Sequence, residues 1–190
     1  DGRSGKTSSL GKWGIGKTIF PAMSYLHMFW ALTVQSNGGG KYLMGRSNLG
    51  HHTIKNIDYV PTGYYGTRKD NDSPLVLPVE DDNTMDDFCT QFNLKRGDSS
   101  GLSIVVPFIP DSITHEKLVY ASMMHYMYPI MNGNLEINIS ATGAKDIAIN
   151  ADSIDGILDS YSEGKDGEKY KKLRLQSDSI GAVIKLPKEE

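Results

Sequence analysis

The chain has 190 residues, of which 38% are hydrophobic and 23% charged, and its formal net charge is −3. These values are typical of one well-cored globular domain or two small ones, and they exclude a chain that is disordered throughout. A slightly acidic chain has no overall electrostatic reason to bind nucleic acid or an anionic membrane, although a local basic patch is compatible with it.

The sequence shows neither a membrane span nor a signal peptide. Its apolar stretches are broken by polar residues well before the roughly 20 residues that a span requires. The single cysteine, Cys89, cannot form an internal disulfide. We therefore expect a cytoplasmic protein without a membrane partner. Because the chain begins at Asp1 within a loop-like segment, we interpret it as a piece cut from a longer protein.

A glycine-rich segment, GKWGIGKT at residues 11–18, matches the P-loop spacing G-x-x-x-x-G-K-[ST]. Its glycines allow backbone N–H groups to approach an anion, and Lys17 adds a positive charge ahead of a predicted helix. A P-loop also needs a buried strand immediately before it, but the preceding residues, DGRSGKTSSL, are typical of a loop. The segment indicates an anion site in a context that does not suit a P-loop enzyme.

The first half of the chain predicts a helix followed by a hairpin. Apolar residues three or four apart favour a helix over 17–28, where Pro21 suits only the first turn. Residues 29–35 and 41–49 read as strands, and the Asn37-Gly38 pair between them is a strong hairpin signal. Residues 50–73 are rich in turn formers and predict a long surface excursion.

The remaining predicted elements alternate between helices and short strands. Up to residue 131 they are a strand within 74–81, a helix over 83–94 capped by Asn83 or Thr84, a buried strand over 102–108, and a helix over 111–131 that is capped by Asp111 or Ser112 and ends near Pro129. After it come strands within 132–140 and 144–150, a helix over 152–163, a charged loop over 163–172, and a final strand and polar tail within 177–190. This order predicts an α+β fold, a two-layer sandwich with a mixed, mainly antiparallel sheet covered by helices on one face.

Three separated motifs occur in an order that resembles the GHKL superfamily, the Bergerat-fold ATPases of gyrase, heat-shock chaperones, histidine kinases and mismatch-repair proteins. GKWGIGKTIFPAMSYL resembles the lid end of a prokaryotic branch of these ATPases. SGLSIVVPF and YPIMNGNLEINI are similar to a later strand and to a helix-to-strand junction of that branch. The resemblance spans roughly residues 10–140.

The resemblance implies ATP and Mg²⁺ as cofactors and assigns roles to seven residues. Lys17 would balance charge on the γ-phosphate, Thr18 would start the helix, and Ser103 would lie beside the adenine pocket. The nucleotide-binding positions are Gly11, Gly14, Ile15, Gly16, Lys17, Thr18 and Ser103. The family's catalytic acid, magnesium-binding asparagine and adenine-reading aspartate lie upstream of the lid. We therefore expect no catalytic residue and no metal ligand in this chain, and no ATP hydrolysis by it alone.

The resemblance also implies an organisation and a mode of action. Residues 1–140 would be the lid end and C-terminal half of an ATP-binding domain, and residues 141–190 the start of a coupling region. ATP would order the lid and drive a conformational switch that a homodimer mate or larger assembly reads. Proteins of this branch often accompany prokaryotic defence systems.

Two other functions fit the sequence. One is a P-loop NTPase that uses residues 11–18, and the other is a non-enzymatic module that binds protein or nucleic acid. Tyr64 and Tyr65, with basic residues nearby, suit a nucleic-acid surface, but we favour the interpretation that they are docked on their own domain. Those basic residues are Arg46, Lys55, Arg68 and Lys69. His51 and His52 predict no metal site, because adjacent strand residues point to opposite faces.

Overall fold

The structure is a computed structural model, and it describes residues 16–70, 74–164 and 166–184. The chain divides into two compact units, with the division between Pro110 and Asp111. This division lies earlier than the boundary predicted near residue 140, because the helix that begins at His115 packs with the strands and helices that follow it.

Unit 1 contains a four-stranded sheet, two helices and short two-stranded ribbons. Its elements are α1 (Gly16–Ala22), β1 (Met28–Val34), β2 (Lys41–Asn48), β3 (His52–Ile54), β4 (Ile57–Tyr59), β5 (Thr62–Tyr65), β6 (Thr67–Arg68), β7 (Val76–Leu77), α2 (Asp82–Gln91) and β8 (Gly101–Val105). The sheet order is β5-β2-β1-β8, and every strand pair within the described ranges is antiparallel. The predicted α+β fold with a mainly antiparallel sheet is confirmed.

The hairpin β1–β2 forms where the sequence predicts it. Asn37 and Gly38 have φ angles of 59° and 74°, in the left-handed region that this pair tolerates. The Gln35 amide donates to the Gly40 carbonyl at 3.0 Å and closes the loop. The resulting register places Leu32 opposite Leu43, and both side chains are buried.

The prediction of a surface excursion over 50–73 is wrong in part. β5 pairs with β2 and becomes the edge strand of the sheet, and β3 pairs with β4. The sequence does not indicate this strand, because residues 63–65 are exposed and show no alternation of apolar and polar residues.

Helix α2 covers one face of the sheet. Met85 and Phe88 pack with Leu32, Leu43 and Val79. The predicted cap at Asn83 or Thr84 is wrong. The carboxylate of Asp81 caps α2 instead, accepting from the amide of Thr84 at 2.8 Å and from its hydroxyl at 2.7 Å.

Unit 2 has a helical core with one small antiparallel ribbon. Its elements are α3 (His115–Met131), β9 (Ile137–Ile139), β10 (Ile147–Ile149), α4 (Ile154–Ser162) and α5 (Gly167–Ile184). Its buried core consists of Val119, Met123, Met127, Ile130, Ile139, Ile149, Ile154, Leu158, Tyr170 and Leu173. Two methionines of α3, Met123 and Met127, therefore lie in the interior of unit 2.

Helix α3 begins four residues later than the predicted residue 111 and ends at the predicted residue 131. Thr114 is its N-cap, rather than Asp111 or Ser112, and accepts from the Lys117 amide at 3.3 Å. The helix continues past Pro129 to Met131, with non-helical backbone angles at Tyr126. Because Pro129 has no N–H to donate to the preceding turn, the helix bends there instead of ending.

The predicted charged loop over 163–172 is confirmed at residues 163, 164 and 166 and is wrong from Gly167 onward, and the predicted strand within 177–190 is wrong as far as Ile184. A single helix, α5, occupies Gly167–Ile184 instead. Tyr170, Leu173 and Ser177 are each at most 3% exposed, and their spacing of three and four is that of one helix face. Within the described part of the chain, no helix is both long and apolar enough to cross a membrane.

Candidate functional site

The glycine-rich motif leads directly into α1. Gly16, Lys17 and Thr18 are the first three residues of this helix, and Thr18 is exposed. Gly11, Gly14 and Ile15 lie outside the described residues. The described part of the glycine-rich segment is therefore the start of a seven-residue helix.

Helix α1 ends earlier than the predicted residue 28. Pro21 lies near its C-terminal end, so the Lys17 carbonyl has no N–H of residue 21 to accept from. The chain then turns through Ser24, which is 2% exposed, and His27, whose φ is 48°. This tight turn brings the chain into β1 at Met28.

Helix α1 contacts the sheet through the side chain of Phe20. The ring of Phe20 contacts that of Phe29 on β1, with 5.4 Å between centroids. Leu32 packs with α2. Phe29 precedes Leu32 by three residues on β1, and because side chains alternate along a strand, the two side chains point to opposite faces of the sheet. We call the face that carries Phe29 the α1 face and the other the α2 face.

Arg46 lies on the α1 face, on the inner strand β2. It is directly opposite Phe29 on β1 and directly opposite Tyr64 on β5, and residues directly opposite share a face. Its Nε atom is buried and has no hydrogen-bond partner among the described residues. Within those ranges no carboxylate lies close enough to form an ion pair with it.

The sequence identified Arg46 only as one of several basic residues near Tyr64. Periodicity marks which strand positions share a face, but the pairing of β2 with both β1 and β5 is needed to place Arg46 between Phe29 and Tyr64. A correct prediction of β5 as a strand would have been needed to identify the position of Arg46 between Phe29 and Tyr64.

Ser103 belongs to the other face. It pairs with Leu32 and so points toward α2, and its hydroxyl accepts from Nε of Arg96 at 2.7 Å. The same guanidinium donates to the carbonyls of Ser99, Ser100 and Leu102. The structure therefore places Ser103 and Phe20 on opposite sides of the sheet.

Unit 2 contains a cavity of about 770 Å³ between the start of α3, β10 and α4. It is lined by His115, whose buried Nε2 has no partner among the described residues, and by Tyr161. Burial and the nearby Glu116 carboxylate raise the pKa of Tyr161. The volume suits a small molecule, although no sequence motif indicates one.

Metal-binding side chains are dispersed in the part of the chain that the structure describes. No three His, Cys, Asp or Glu residues there are grouped closely enough to hold a metal ion. The Nδ1 atom of His52 instead lies 3.0 Å from the Gly50 carbonyl, to which it donates when it carries the proton, and the ring stacks on Tyr59.

Comparisons of the chain with protein-family models, with curated proteins and with solved structures give no match.

Proposed function

We propose that the chain supplies the phosphate-binding end of an ATP-binding domain of the GHKL type, with residues 11–18 as the glycine-rich segment. The observation that carries this proposal is the junction at Gly16, where the motif passes directly into a helix that packs on an antiparallel hairpin. A glycine-rich segment at such a junction can turn its backbone N–H groups toward phosphate oxygens.

The sheet favours this proposal over a P-loop NTPase. In a P-loop enzyme the glycine segment joins a buried parallel strand to its helix. Here the helix leads into β1, and β1 pairs antiparallel with both β2 and β8. The second alternative, a non-enzymatic binding module, would leave residues 11–18 as an ordinary turn.

In the proposed site, Lys17 and the neighbouring backbone amides would hold the β- and γ-phosphates and offset their charge. Mg²⁺, when bound, would neutralise charge on the phosphate oxygens. The resemblance places its ligands, and any catalytic acid, outside this chain. The predicted role of Ser103 beside the adenine stays a prediction, since its hydroxyl already pairs with Arg96.

We further propose that phosphate binding drives a conformational switch that a second copy or another partner reads. The single cysteine supports work in the cytoplasm. The context of prokaryotic defence rests on the resemblance alone.

The test is calorimetric titration of the full-length protein with a non-hydrolysable ATP analogue and Mg²⁺. We expect Lys17→Ala to weaken binding by about 1.5–3 kcal/mol, or roughly 10- to 150-fold in Kd, because a charge-assisted contact is lost. Lys95→Ala removes an exposed lysine elsewhere in unit 1 and should bind like the wild type. A wild-type protein that binds no nucleotide would refute the proposal and favour a binding module.

A further inference from the structure

We infer that unit 2 binds an organic cation, a methylated ammonium group, in a second cavity that is lined by tyrosine rings and the Glu116 carboxylate. This cavity has a volume of about 510 Å³ and lies between the start of α3, the end of α4 and the start of α5. We call it the tyrosine cavity. The inference is independent of the proposed function, because every residue that lines the cavity belongs to unit 2.

Three helices each contribute one tyrosine ring to the tyrosine cavity. The rings are those of Tyr120 on α3, Tyr161 on α4 and Tyr170 on α5. Tyr120 and Tyr170 meet edge to face, with 5.5 Å between their centroids and 81° between their planes. The face of an aromatic ring carries negative charge density, so a cation in such a corner can contact two ring faces at once.

The aromatic wall is already assembled in the folded chain. Tyr170 is 3% exposed and belongs to the buried core of unit 2, and the rings of Tyr120 and Tyr161 pack against the same core. The Tyr161 and Tyr170 centroids are only 4.9 Å apart. A ligand would therefore pay little for ordering these side chains when it binds.

Glu116 supplies a carboxylate that has no cationic partner among the described residues. Two lysines also line the tyrosine cavity, but the structure gives each of them another contact. Lys169 pairs with Asp166 at 3.0 Å, and the ammonium of Lys117 donates to the Ser112 carbonyl at 2.7 Å. A cationic ligand would provide the partner that Glu116 lacks.

The electrostatics at Tyr161 agree with a cation site. Burial raises the pKa of Tyr161, and the Glu116 carboxylate raises it further. A carboxylate that disfavours a negative charge on the phenol favours a positive charge at the same place, since both effects follow from one electrostatic potential.

The chemistry of the wall favours a methylated ammonium over a metal ion. A metal ion requires several carboxylate or imidazole ligands, and no three such side chains are grouped closely enough in the described ranges. Aromatic rings beside a carboxylate suit a cation that is bulky and partly apolar, and quaternary ammonium groups are recognised in this way. The cavity volume lies within the roughly 300–1,000 Å³ of small-molecule sites.

The experiment is an NMR titration of the full chain with choline chloride, with ionic strength kept equal by sodium chloride. The matched ligand is neohexanol, the uncharged alcohol in which carbon replaces the quaternary nitrogen. We expect choline to shift the amide signals of Glu116, Tyr120 and Tyr161, and its N-methyl signal to move upfield in the ring currents. Neohexanol should bind at least about threefold more weakly, because it lacks the charge.

Substitutions then test the lining of the tyrosine cavity. Tyr120→Leu and Tyr161→Leu each remove a ring and keep an apolar side chain, and we expect each to raise the Kd for choline about 3- to 30-fold. Glu116→Gln should raise it at least about threefold, because the carboxylate charge is lost. Tyr128→Leu and Asp152→Asn change an exposed tyrosine and an exposed carboxylate outside the cavity, and both should bind like the wild type.

Circular dichroism establishes that each variant is folded. Glu116→Gln keeps the test decisive if the loss of a ring unfolds unit 2, because Glu116 is exposed. Equal Kd values for choline and neohexanol would overturn the inference, since binding would then depend on apolar surface alone. No binding of choline by the wild type, or full binding by all three cavity variants, would overturn it as well.

A methylated ammonium group occurs both in free small molecules and on methylated lysines of proteins. A short peptide that carries trimethyl-lysine, titrated beside the same peptide with unmodified lysine, distinguishes these sources. Tighter binding of the methylated peptide than of choline would identify a protein ligand, and tighter binding of choline would identify a free small molecule. Both outcomes support the cation site, whereas equal binding of the two peptides, without binding of choline, would refute it.

Discussion

Trp30 packs against the bare backbone of Gly45, its direct partner on the neighbouring strand. A Cβ atom at Gly45 would lie 2.5 Å from Cδ1 of Trp30 and 2.9 Å from Cβ of Tyr65. The absence of a side chain at this position leaves room for the indole, which also contacts Phe88 and Phe92 of α2. Gly45 thus provides space for the ring that packs between the sheet and α2.

Gly45→Ala should destabilise unit 1. The added methyl group has no free space and must displace Trp30, and overpacking of this kind costs about 1–3 kcal/mol. Urea unfolding followed by tryptophan fluorescence measures the effect, because Trp30 reports on the same contact. An alanine variant as stable as the wild type would show that the indole does not depend on the glycine.

Gly156→Ala provides the opposite case and should stabilise unit 2. Gly156 lies inside α4, and a Cβ atom there meets nothing within 4 Å. Alanine loses less backbone entropy on folding than glycine, so we expect a gain of about 0.5–1 kcal/mol in the free energy of unfolding. Thermal unfolding of the same preparation decides the sign, and a lower midpoint would contradict the open position of residue 156.

Arg96→Lys should loosen the loop before β8. The guanidinium donates to three backbone carbonyls and to the Ser103 hydroxyl, and a lysine ammonium cannot reproduce that fork. We expect a loss of about 1–3 kcal/mol and faster amide hydrogen exchange over residues 99–103. Lys95→Ala, one residue earlier and exposed, should change neither quantity.

The sequence predicted those elements whose local residue preferences agree with the conformation they adopt in the folded protein. Asn37 and Gly38 tolerate a left-handed backbone whatever surrounds them, and the β1–β2 hairpin formed at the predicted place. The order of strands and turns likewise predicted the α+β class. These features are determined by residues that are close together in the sequence, so they can be predicted without knowing the tertiary contacts.

The rest depended on contacts between distant residues. β5 carries no hydrophobic alternation and is a strand because β2 offers it a partner. The charged residues of α5 suggested a loop. The burial of Tyr170 and Leu173 in the core of unit 2 identifies the inner face of this helix. The lack of a partner for the Nε of Arg46 among the described residues could not be predicted either, since it depends on the positions of residues that are distant in the sequence.

Tyr170 makes the stability of unit 2 sensitive to alkaline pH. The side chain is 3% exposed, and its burial, with the neighbouring Tyr161 and the Glu116 carboxylate, raises the pKa of Tyr170 from its usual value near 10 to about 12. The phenol is protonated in both states below pH 10, so its stabilising effect is then complete. As the pH rises from 10 through about 12, the unfolded chain releases this proton first, and the free energy of unfolding falls.

Tyr170→Phe isolates this contribution. Phenylalanine keeps the aromatic packing against Tyr120 and Tyr161 but has no ionisable proton. We expect the variant to lose less stability than the wild type between neutral pH and about pH 12, and to lack the late step in tyrosinate absorbance. At neutral pH the two proteins should differ little, because the bond of the phenol to the Glu116 carbonyl is long at 3.5 Å. Parallel pH profiles for the two proteins would mean that Tyr170 ionises in the folded chain as readily as in the unfolded one.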